Sequence, residues 1–369
     1  MIQRFYIHNF RCLENFDLPI TDRSSVLLIG KNGAGKTTVG LALEILQKIA
    51  RGVNRVADLV KPKDLARGRT DAPMRFEIEA KLAGHDYKYY IAFEFPAGFR
   101  ELRVREEGLV ANGVPVFTRE AAQVHLATTN QEVEARFRLD WHLAALPIIE
   151  GRTANDPLPT FKQWLARLVI LRPIPGLIEG GSEEETLQPN TRVTDFGAWF
   201  SGLVAHAPAA YGRIDDHLKQ VMPDFIDIKN PVIGKNSRTL EVQFSKDLGS
   251  LTIPFADLSD GEKCFMISAM VLAANAAYGP LVCFWDEPDN YLAMSEVGHF
   301  IMALRKAFQT GGQFIATSHN AEAIRRFSDE NTILLFRNSH LEPTKVRPLS
   351  EIKVNGELAN ALIRGDLEP

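Results

Sequence analysis

The chain has 369 residues, of which 45% are hydrophobic and 24% charged, and its formal net charge is −4. This length and composition allow a sizeable buried core in one large or two modest domains, and the negative balance argues against a strongly basic nucleic-acid binder. The three cysteines, Cys12, Cys264 and Cys283, are too few and too scattered for a disulfide framework or a metal site, so we expect a reducing compartment.

The stretch 264–285 contains no charged side chain, and its 22 residues are long enough to raise the question of a membrane span. It contains Asn275 and the break Gly279-Pro280, so it predicts a helix, a turn and a strand instead. No signal-peptide pattern opens the chain. We therefore expect a cytoplasmic protein with no membrane partner.

A glycine-rich segment follows the first buried-strand candidate. Residues 25–29 form an apolar run, and residues 30–37, GKNGAGKT, fit the pattern G-x-x-x-x-G-K-[ST]. Apolar residues then recur at steps of three and four from 38 to 50, which predicts a helix. Unpaired N–H groups and the positive end of the dipole at a helix N-terminus favour a polyphosphate.

Each residue type in this loop has a role in such a site. Glycines let the backbone approach the phosphates closely, Lys36 would neutralise the β- and γ-phosphates, and the Thr37 hydroxyl would ligate Mg²⁺. The predicted nucleotide-binding residues of the loop are Gly30, Asn32, Gly33, Ala34, Gly35, Lys36, Thr37 and Thr38.

A second apolar run, residues 281–285, ends in two adjacent carboxylates. Because successive side chains of a strand point to opposite faces, Asp286 can hold the hydrated Mg²⁺ while Glu287 acts as general base on the attacking water. An ordinary acidic turn is the alternative. His319 favours the catalytic interpretation, since it follows the apolar run 313–317 and could hydrogen-bond a γ-phosphate at the end of a parallel strand.

Residues 258–262, LSDGE, precede a predicted helix at 263–277. Ser259 suits a helix N-cap and Gly261 a close backbone approach. In isolation, a simple N-cap explains the segment equally well.

Together these motifs resemble the ABC-type ATPase heads of the SMC, RecF and OLD-like group. The resemblance covers five short segments in the order that such heads require: residues 9–11, 30–37, 258–262, 286–288 and 318–320. It implies that ATP with Mg²⁺ is bound and hydrolysed. It also assigns the Walker A loop to residues 30–37, the signature to Ser259 and Gly261, the Walker B pair to Asp286 and Glu287, and the switch histidine to His319.

The same resemblance implies an ATP-dependent, head-to-tail homodimer, in which the signature motif of one subunit reaches the nucleotide of the other. The opening residues 2–11 are similar to those of RecF and OLD-like proteins, which implies that Arg11 lies near the nucleotide. An exposed arginine at a strand end is the alternative.

The chain also departs from the family pattern. Asp260 and Glu262 replace the Gly and Gln of the transporter signature, and residues 289–292 resemble the D-loop without its final Asp. The Q-loop ligand stays unassigned, because neither Gln163 nor Gln188 has a convincing spacing.

The predicted architecture is an α/β P-loop NTPase, an ABC-type two-lobed head that occupies residues 1–369. Its core lobes are residues 1–60 and 225–345, and residues 74–222 form an antiparallel β and helical insertion. Strands are predicted at 75–81, 87–95, 101–110, 114–117, 168–171 and 333–336, and helices at 131–146, 161–167, 195–205 and 209–221. The insertion has no sustained heptads, which excludes a long coiled coil.

Only 50 residues follow His319, so we expect no TOPRIM nuclease domain and a stand-alone ATPase. The resemblance implies genome defence or DNA repair, with double-stranded DNA or a separately encoded nuclease or toxin as partner. A RecF-type repair clamp and a slow ATP-switch binding module are the alternatives. The run 51–75 carries seven basic and three acidic residues, which indicates either a DNA contact or a solvated loop.

Overall fold

The structure, a computed structural model, describes residues 1–127, 135–151, 156–247 and 249–352. The strands are β1 (Ile2–His8), β2 (Phe16–Pro19), β3 (Ser25–Ile29), β4 (Met74–Leu82), β5 (His85–Glu94), β6 (Arg103–Ala111), β7 (Val114–Glu120), β8 (Gln123–Leu126), β9 (Ala135–Arg138), β10 (Val169–Leu171), β11 (Phe225–Lys229), β12 (Glu241–Lys246), β13 (Gly249–Pro254), β14 (Val282–Trp285), β15 (Gln313–Thr317), β16 (Thr332–Phe336) and β17 (Lys345–Pro348). The helices are α1 (Lys36–Ala50), α2 (Val56–Leu59), α3 (Pro157–Ala166), α4 (Phe196–His206), α5 (Ala210–Val221), α6 (Asp260–Tyr278), α7 (Met294–Gln309) and α8 (Ala321–Arg326).

The central sheet has six strands in the order β10–β14–β15–β3–β16–β17, parallel except for β17. Every residue of β3 is buried, as expected for an apolar strand in the middle of a parallel sheet. Val26 and Leu28 pack into one core and Leu27 and Ile29 into the other, because successive side chains alternate between the faces.

Helix α1 separates the central sheet from an antiparallel sheet with the order β2–β1–β4–β5–β6–β7–β8–β9. Leu43 and Leu46 of α1 share a core with Phe5 of β1 and Leu28 of β3. The opposite face of the central sheet is covered by α4, α6 and α7, where the rings of Trp285 and Phe300 meet edge to face with centroids 5.5 Å apart. A third sheet, β11–β12–β13, completes the second lobe.

The uncharged stretch 264–285 forms most of α6, a turn and β14, as the sequence predicts. Its apolar side chains pack against the central sheet and α7. Within the described ranges, no helix has both the length and the apolar character needed to cross a bilayer.

The predicted boundaries at residues 74 and 222 do not follow the sheets. Strand β4 pairs with β1, so the N-terminal strands and the predicted insertion share one antiparallel sheet. Strand β10 lies within 74–222, yet it pairs with β14 as the edge strand of the central sheet. Local periodicity predicts the strands themselves and contains no information about their distant partners.

The helix predicted at 131–146 is wrong for its described part. Residues 135–138 form β9, and residues 139–146 contain no helix. Residues 131–134 lie outside the described residues. Tertiary contacts with the antiparallel sheet hold this segment in a non-helical conformation and override its local preference.

Two buried charged residues of the antiparallel sheet make those contacts. The Glu107 carboxylate accepts hydrogen bonds from the N–H groups of Ala145 (2.6 Å) and Leu146 (2.8 Å). Arg119 lies 3.6 Å from Glu107 and donates to the carbonyl oxygen of Leu143. Burial raises the pKa of Glu107, and these hydrogen bonds and Arg119 oppose the shift. The pair therefore satisfies backbone groups that would otherwise be buried without partners.

We predict that Glu107→Ala lowers the free energy of unfolding by about 3–5 kcal/mol, because it leaves Arg119 buried without a carboxylate. Glu106→Ala on the same strand is the control. The Glu106 side chain is 37% exposed and pairs with Arg75, so its loss should cost less than about 1 kcal/mol. Urea denaturation of both variants measures the difference, and equal losses would contradict the assigned role of Glu107.

Candidate active site

The glycine-rich loop leaves the carboxyl end of β3 and enters α1. A Cβ atom added to Gly30 would lie 2.1 Å from the carbonyl oxygen of Leu335 in β16, so no larger residue fits there. Gly35 caps α1 with a φ of 102°, a conformation that strains residues with a Cβ atom. The loop therefore closes tightly over the first turn of α1, where backbone N–H groups lack helical partners.

Lys36 is only 5% exposed. Its Nζ donates to the carbonyl oxygens of Gly30 (2.8 Å) and Lys31 (3.5 Å), which closes the loop on itself. Burial lowers the pKa of Lys36, and the nearby carboxylates of Glu287 and Asp286 oppose that shift. The ammonium group is thus held beside the loop by weak neutral acceptors, which an anionic ligand can replace.

The ends of β14 and β15 are linked through Thr317. Its hydroxyl donates to Asp286 Oδ1 (2.6 Å) and accepts the backbone N–H of Glu287 (2.9 Å). In the sequence, Thr317 is only the last residue of the apolar run 313–317. The hydroxyl fixes both carboxylate-bearing residues relative to the neighbouring strand.

Glu287 has a φ of 51°, which is uncommon for a residue with a Cβ atom. Its carboxylate lies 3.0 Å from His319 Nε2 and accepts a hydrogen bond from Asn290 Nδ2 at 2.5 Å. The hydrogen bond with His319, followed by that from Asn290 and by the charges of His319 and Lys36, lowers the pKa of Glu287 to about 2, against the opposing effect of burial. Glu287 is therefore ionised at neutral pH and is a weak base in this arrangement.

A cleft of about 450 Å³ lies above the loop and brings most of the predicted residues together. The predicted residues that line it are Arg11, Asn32, Gly33, Gly35, Lys36, Thr37, Thr38 and Glu287. Asp286 and His319 adjoin the cleft through Thr317 and Glu287. Gly30 and Ala34 do not line the cleft; Gly30 packs against the Leu335 carbonyl, and the Ala34 carbonyl accepts the hydroxyl of Thr344.

Arg11 lines the cleft, but its charge is already paired. Its Nη2 lies 3.1 Å from Asp64 Oδ1, and its guanidinium lies over the ring of Phe10. Its side chain is 44% exposed. Arg11 is thus an exposed arginine after a strand and also borders the cleft, and its contact with a nucleotide stays a prediction.

Ser259 and Gly261 lie outside the cleft of their own chain. Ser259 caps α6: its hydroxyl accepts the Glu262 N–H (3.3 Å), and Glu262 Oε2 accepts the Ser259 N–H (2.8 Å), a reciprocal capping box. A Cβ atom on Gly261 would lie 3.1 Å from the carbonyl oxygen of Tyr291. The segment therefore packs beside residues 289–292, and Ser259 is exposed to solvent.

Several cleft residues belong to no motif that predicts a nucleotide contact. Cys12 and Arg67 line the cleft beside Arg11, and Arg337, His340 and Glu342 line it from the loop between β16 and β17. They reach the cleft only because distant segments fold over the phosphate loop, so no local motif identifies them.

The arginines of the basic run 51–75 are largely engaged within the chain. Arg51 donates to the carbonyl oxygens of Ala166 and Leu168, and Arg67 and Arg69 both pair with Glu14. Such pairing reduces the charge available to a nucleic-acid backbone. This arrangement favours the loop interpretation of the run over a DNA contact.

Comparisons with known proteins concern the fold and the N-terminal part of the chain. Residues 1–100 match the AAA ATPase domain family AAA_15. Over 46 residues, the chain is 44% identical to an OLD nuclease of Thermus scotoductus, a match that covers 12% of this chain and 8% of that protein.

The fold is similar to a solved SMC head bound to the C-terminal winged-helix domain of ScpA, with a TM-score of 0.56 and 14% identity over 95% of this chain and 98% of that one. The predicted fold class is confirmed: the chain has the fold of an SMC head, an ABC-type P-loop NTPase, and its residues 1–100 are similar to an ATPase domain.

We predict that Lys36→Ala abolishes measurable nucleotide binding in isothermal titration calorimetry, because it removes the compact charge beside the loop. Lys31→Ala is the matched control. Lys31 belongs to the same loop, is exposed and does not line the cleft, so its loss should change the affinity only slightly. Retained affinity in Lys36→Ala within a few-fold of the wild type would count against the phosphate-loop assignment.

Proposed function

We propose that this chain binds ATP with Mg²⁺ in the cleft above the phosphate loop and hydrolyses it. The observation that carries the proposal is the presence of Lys36 and Glu287 in one cleft, although they come from distant parts of the chain. A cation for the phosphates and a carboxylate for the attacking water are the two side-chain functions that ATP hydrolysis needs.

Thr37 and Asp286 are the residues that would hold Mg²⁺. Hydroxyl and carboxylate oxygens suit this hard cation, which usually takes one or two carboxylates together with water and phosphate oxygens. Asp286 uses Oδ1 to accept the Thr317 hydroxyl, and in the described residues no protein donor bonds its Oδ2. When bound, Mg²⁺ neutralises charge on the β- and γ-phosphates.

Lys36 would exchange its bond to the Gly30 carbonyl for phosphate oxygens, which form stronger, charge-assisted hydrogen bonds. Glu287 would accept the proton of the attacking water. With its pKa near 2, Glu287 gains base strength when the hydrogen bond from His319, the largest cause of that shift, is released. A γ-phosphate beside His319 is a competing acceptor, so substrate binding itself can free the base.

The same restraint on Glu287 favours a second candidate, a binding module in which ATP is a slow switch. A general base held by His319 and Asn290 slows turnover without weakening nucleotide affinity. Single-turnover hydrolysis with and without duplex DNA separates the two candidates. Acceleration by DNA supports a regulated ATPase, whereas a slow rate that DNA does not change supports the switch.

The exposed signature segment supports an ATP-dependent homodimer. Ser259 and Gly261 lie outside the cleft of their own chain, and by the family resemblance they would contact the γ-phosphate held by the partner subunit. The N-terminus of α6 supplies backbone N–H groups and a positive dipole end for that contact. Two composite sites would then close in a head-to-tail arrangement.

The output of the ATP cycle would pass to DNA or to a separately encoded nuclease or toxin, in genome defence or DNA repair in the cytoplasm. The 46-residue match to an OLD nuclease supports this setting. The SMC head of similar fold is bound to a domain of ScpA, and a protein partner would be the counterpart here. A RecF-type repair clamp is the alternative within the same group.

We predict that ATP with Mg²⁺ drives dimerisation of the Glu287→Gln variant and that ADP does not. The amide keeps the shape of the carboxylate but is a poor base, so ATP persists, and only its terminal phosphate can bridge both subunits. Dimerisation must tighten ATP binding by the same factor by which ATP tightens dimerisation. Sedimentation equilibrium measures the assembly.

Ser259→Arg, added to Glu287→Gln, should block this dimer and leave monomer binding through Lys36 almost intact, because the cation fills the partner's phosphate position. Ser250→Arg, an exposed change on β13, is the control and should leave the dimer unchanged. If Ser259→Arg still dimerises with ATP, or the wild type assembles identically without nucleotide, the head-to-tail arrangement is wrong and Ser259 is only a helix cap.

A further inference from the structure

Arg337, an arginine outside every predicted motif, lies over the phosphate loop. It directly follows β16, the strand whose Leu335 carbonyl packs against Gly30. A Cβ atom added to Gly33 would lie 3.2 Å from Arg337 Nη2. The guanidinium therefore lies against the middle of the loop, and Arg337 lines the 450 Å³ cleft.

Arg337 differs from the other arginines of the cleft, since it has no carboxylate partner in the part of the chain that the structure describes. Arg11 pairs with Asp64, and Arg67 pairs with Glu14 at 2.6 Å. Among residues 1–127, 135–151, 156–247 and 249–352, no ion pair or hydrogen bond engages the Arg337 guanidinium. Its planar set of N–H donors is therefore available to an anion in the cleft.

The segment that carries Arg337 is fixed on the phosphate loop. The Thr344 hydroxyl donates to the Ala34 carbonyl (2.8 Å), and the Thr344 N–H donates to the Cys12 carbonyl (2.8 Å). Arg67 Nη1 donates to the Leu341 carbonyl at 2.9 Å. These bonds hold residues 337–344 over the loop before any ligand arrives, which reduces the entropy that a ligand contact costs.

The charges that line the cleft agree with a phosphate ligand. Arg11, Lys36, Arg67 and Arg337 border it together with the carboxylates Glu287 and Glu342. Because Arg11 and Arg67 pair with Asp64 and Glu14, Lys36 and Arg337 are the two cations left for a ligand. Arg and phosphate form bidentate, charge-assisted hydrogen bonds. Two cations beside one loop can attract a polyphosphate into the cleft.

We propose that Arg337 is a nucleotide-binding residue whose guanidinium donates to the phosphate oxygens of the nucleotide cradled at Gly33. This inference rests on the proposed function of the cleft. The middle of a phosphate loop cradles the α- and β-phosphates, which ADP and ATP share, so Arg337 contributes to the binding of both. The contribution is made within one subunit and needs no dimer, unlike that of Ser259.

The test is calorimetry of the full chain with ADP and Mg²⁺, a ligand that is neither hydrolysed nor expected to induce the dimer. Arg337→Ala should weaken ADP binding by about 10-fold or more, the usual effect of losing a charge-assisted hydrogen bond. Arg337→Lys, which keeps the charge and loses the planar fork, should give an intermediate affinity. Melting without nucleotide should be the same in all variants.

Arg347→Ala is the matched control, because Arg347 lies on β17 of the same hairpin, over the ring of Phe336 and outside the cleft. It should bind ADP within about twofold of the wild type, as surface charge removal usually has small effects. The inference is overturned if Arg337→Ala binds ADP as the wild type does, or if both variants lose affinity equally. It is also overturned if Arg337→Ala keeps ADP affinity and loses affinity for a duplex oligonucleotide. If the wild type itself binds no nucleotide, the proposed function fails instead.

Discussion

The close packing of Gly30 against the backbone of β16 is the constraint on which the site depends. A Cβ atom at Gly30 would lie 2.1 Å from the Leu335 carbonyl oxygen, so only glycine lets β3 turn into the phosphate loop at this point. This change of direction leaves the Gly30 carbonyl free to accept a hydrogen bond from the Lys36 ammonium group. Because Arg337 follows Leu335 by two residues, the same contact brings a second cation over the loop. One backbone contact therefore positions both Lys36, which the motif predicts, and Arg337, which lies outside the motif.

On the catalytic side of the cleft, the contacts that hold the Glu287 carboxylate in place also make it less basic. Thr317 ties Asp286 and the backbone of Glu287 to β15, while His319 and Asn290 hold the Glu287 carboxylate and keep its pKa near 2. This arrangement fixes the position of the base and weakens it at the same time. Release by a phosphate that competes for His319 would couple base strength to the presence of substrate, and the degree of release decides between a regulated ATPase and a slow switch.

The sequence identifies the parts of the fold and site that are contiguous in the chain. The strands β3, β14 and β15 and the helix α1 are predicted because apolar runs and motifs lie side by side, and the structure has them. Features created by distant segments are not predicted. The helix expected at 131–146 is absent from the described residues because Glu107 and Arg119 bind that segment through its backbone. Residues 337–344 reach the cleft through bonds to Ala34 and Cys12, which no periodicity encodes.

The most direct test of the claim that nucleotide occupies this cleft is the rate at which Cys12 reacts with a maleimide. Cys12 lines the cleft, whereas Cys264 and Cys283 are buried, and burial raises the pKa of the Cys264 thiol to about 12, so both should be inert. At a nucleotide concentration that calorimetry shows to be saturating, ATP with Mg²⁺ should protect Cys12 in the wild type and leave the rate unchanged in Lys36→Ala. An equal rate of Cys12 modification with and without saturating ATP in the wild type would contradict the account, because the nucleotide would then bind elsewhere.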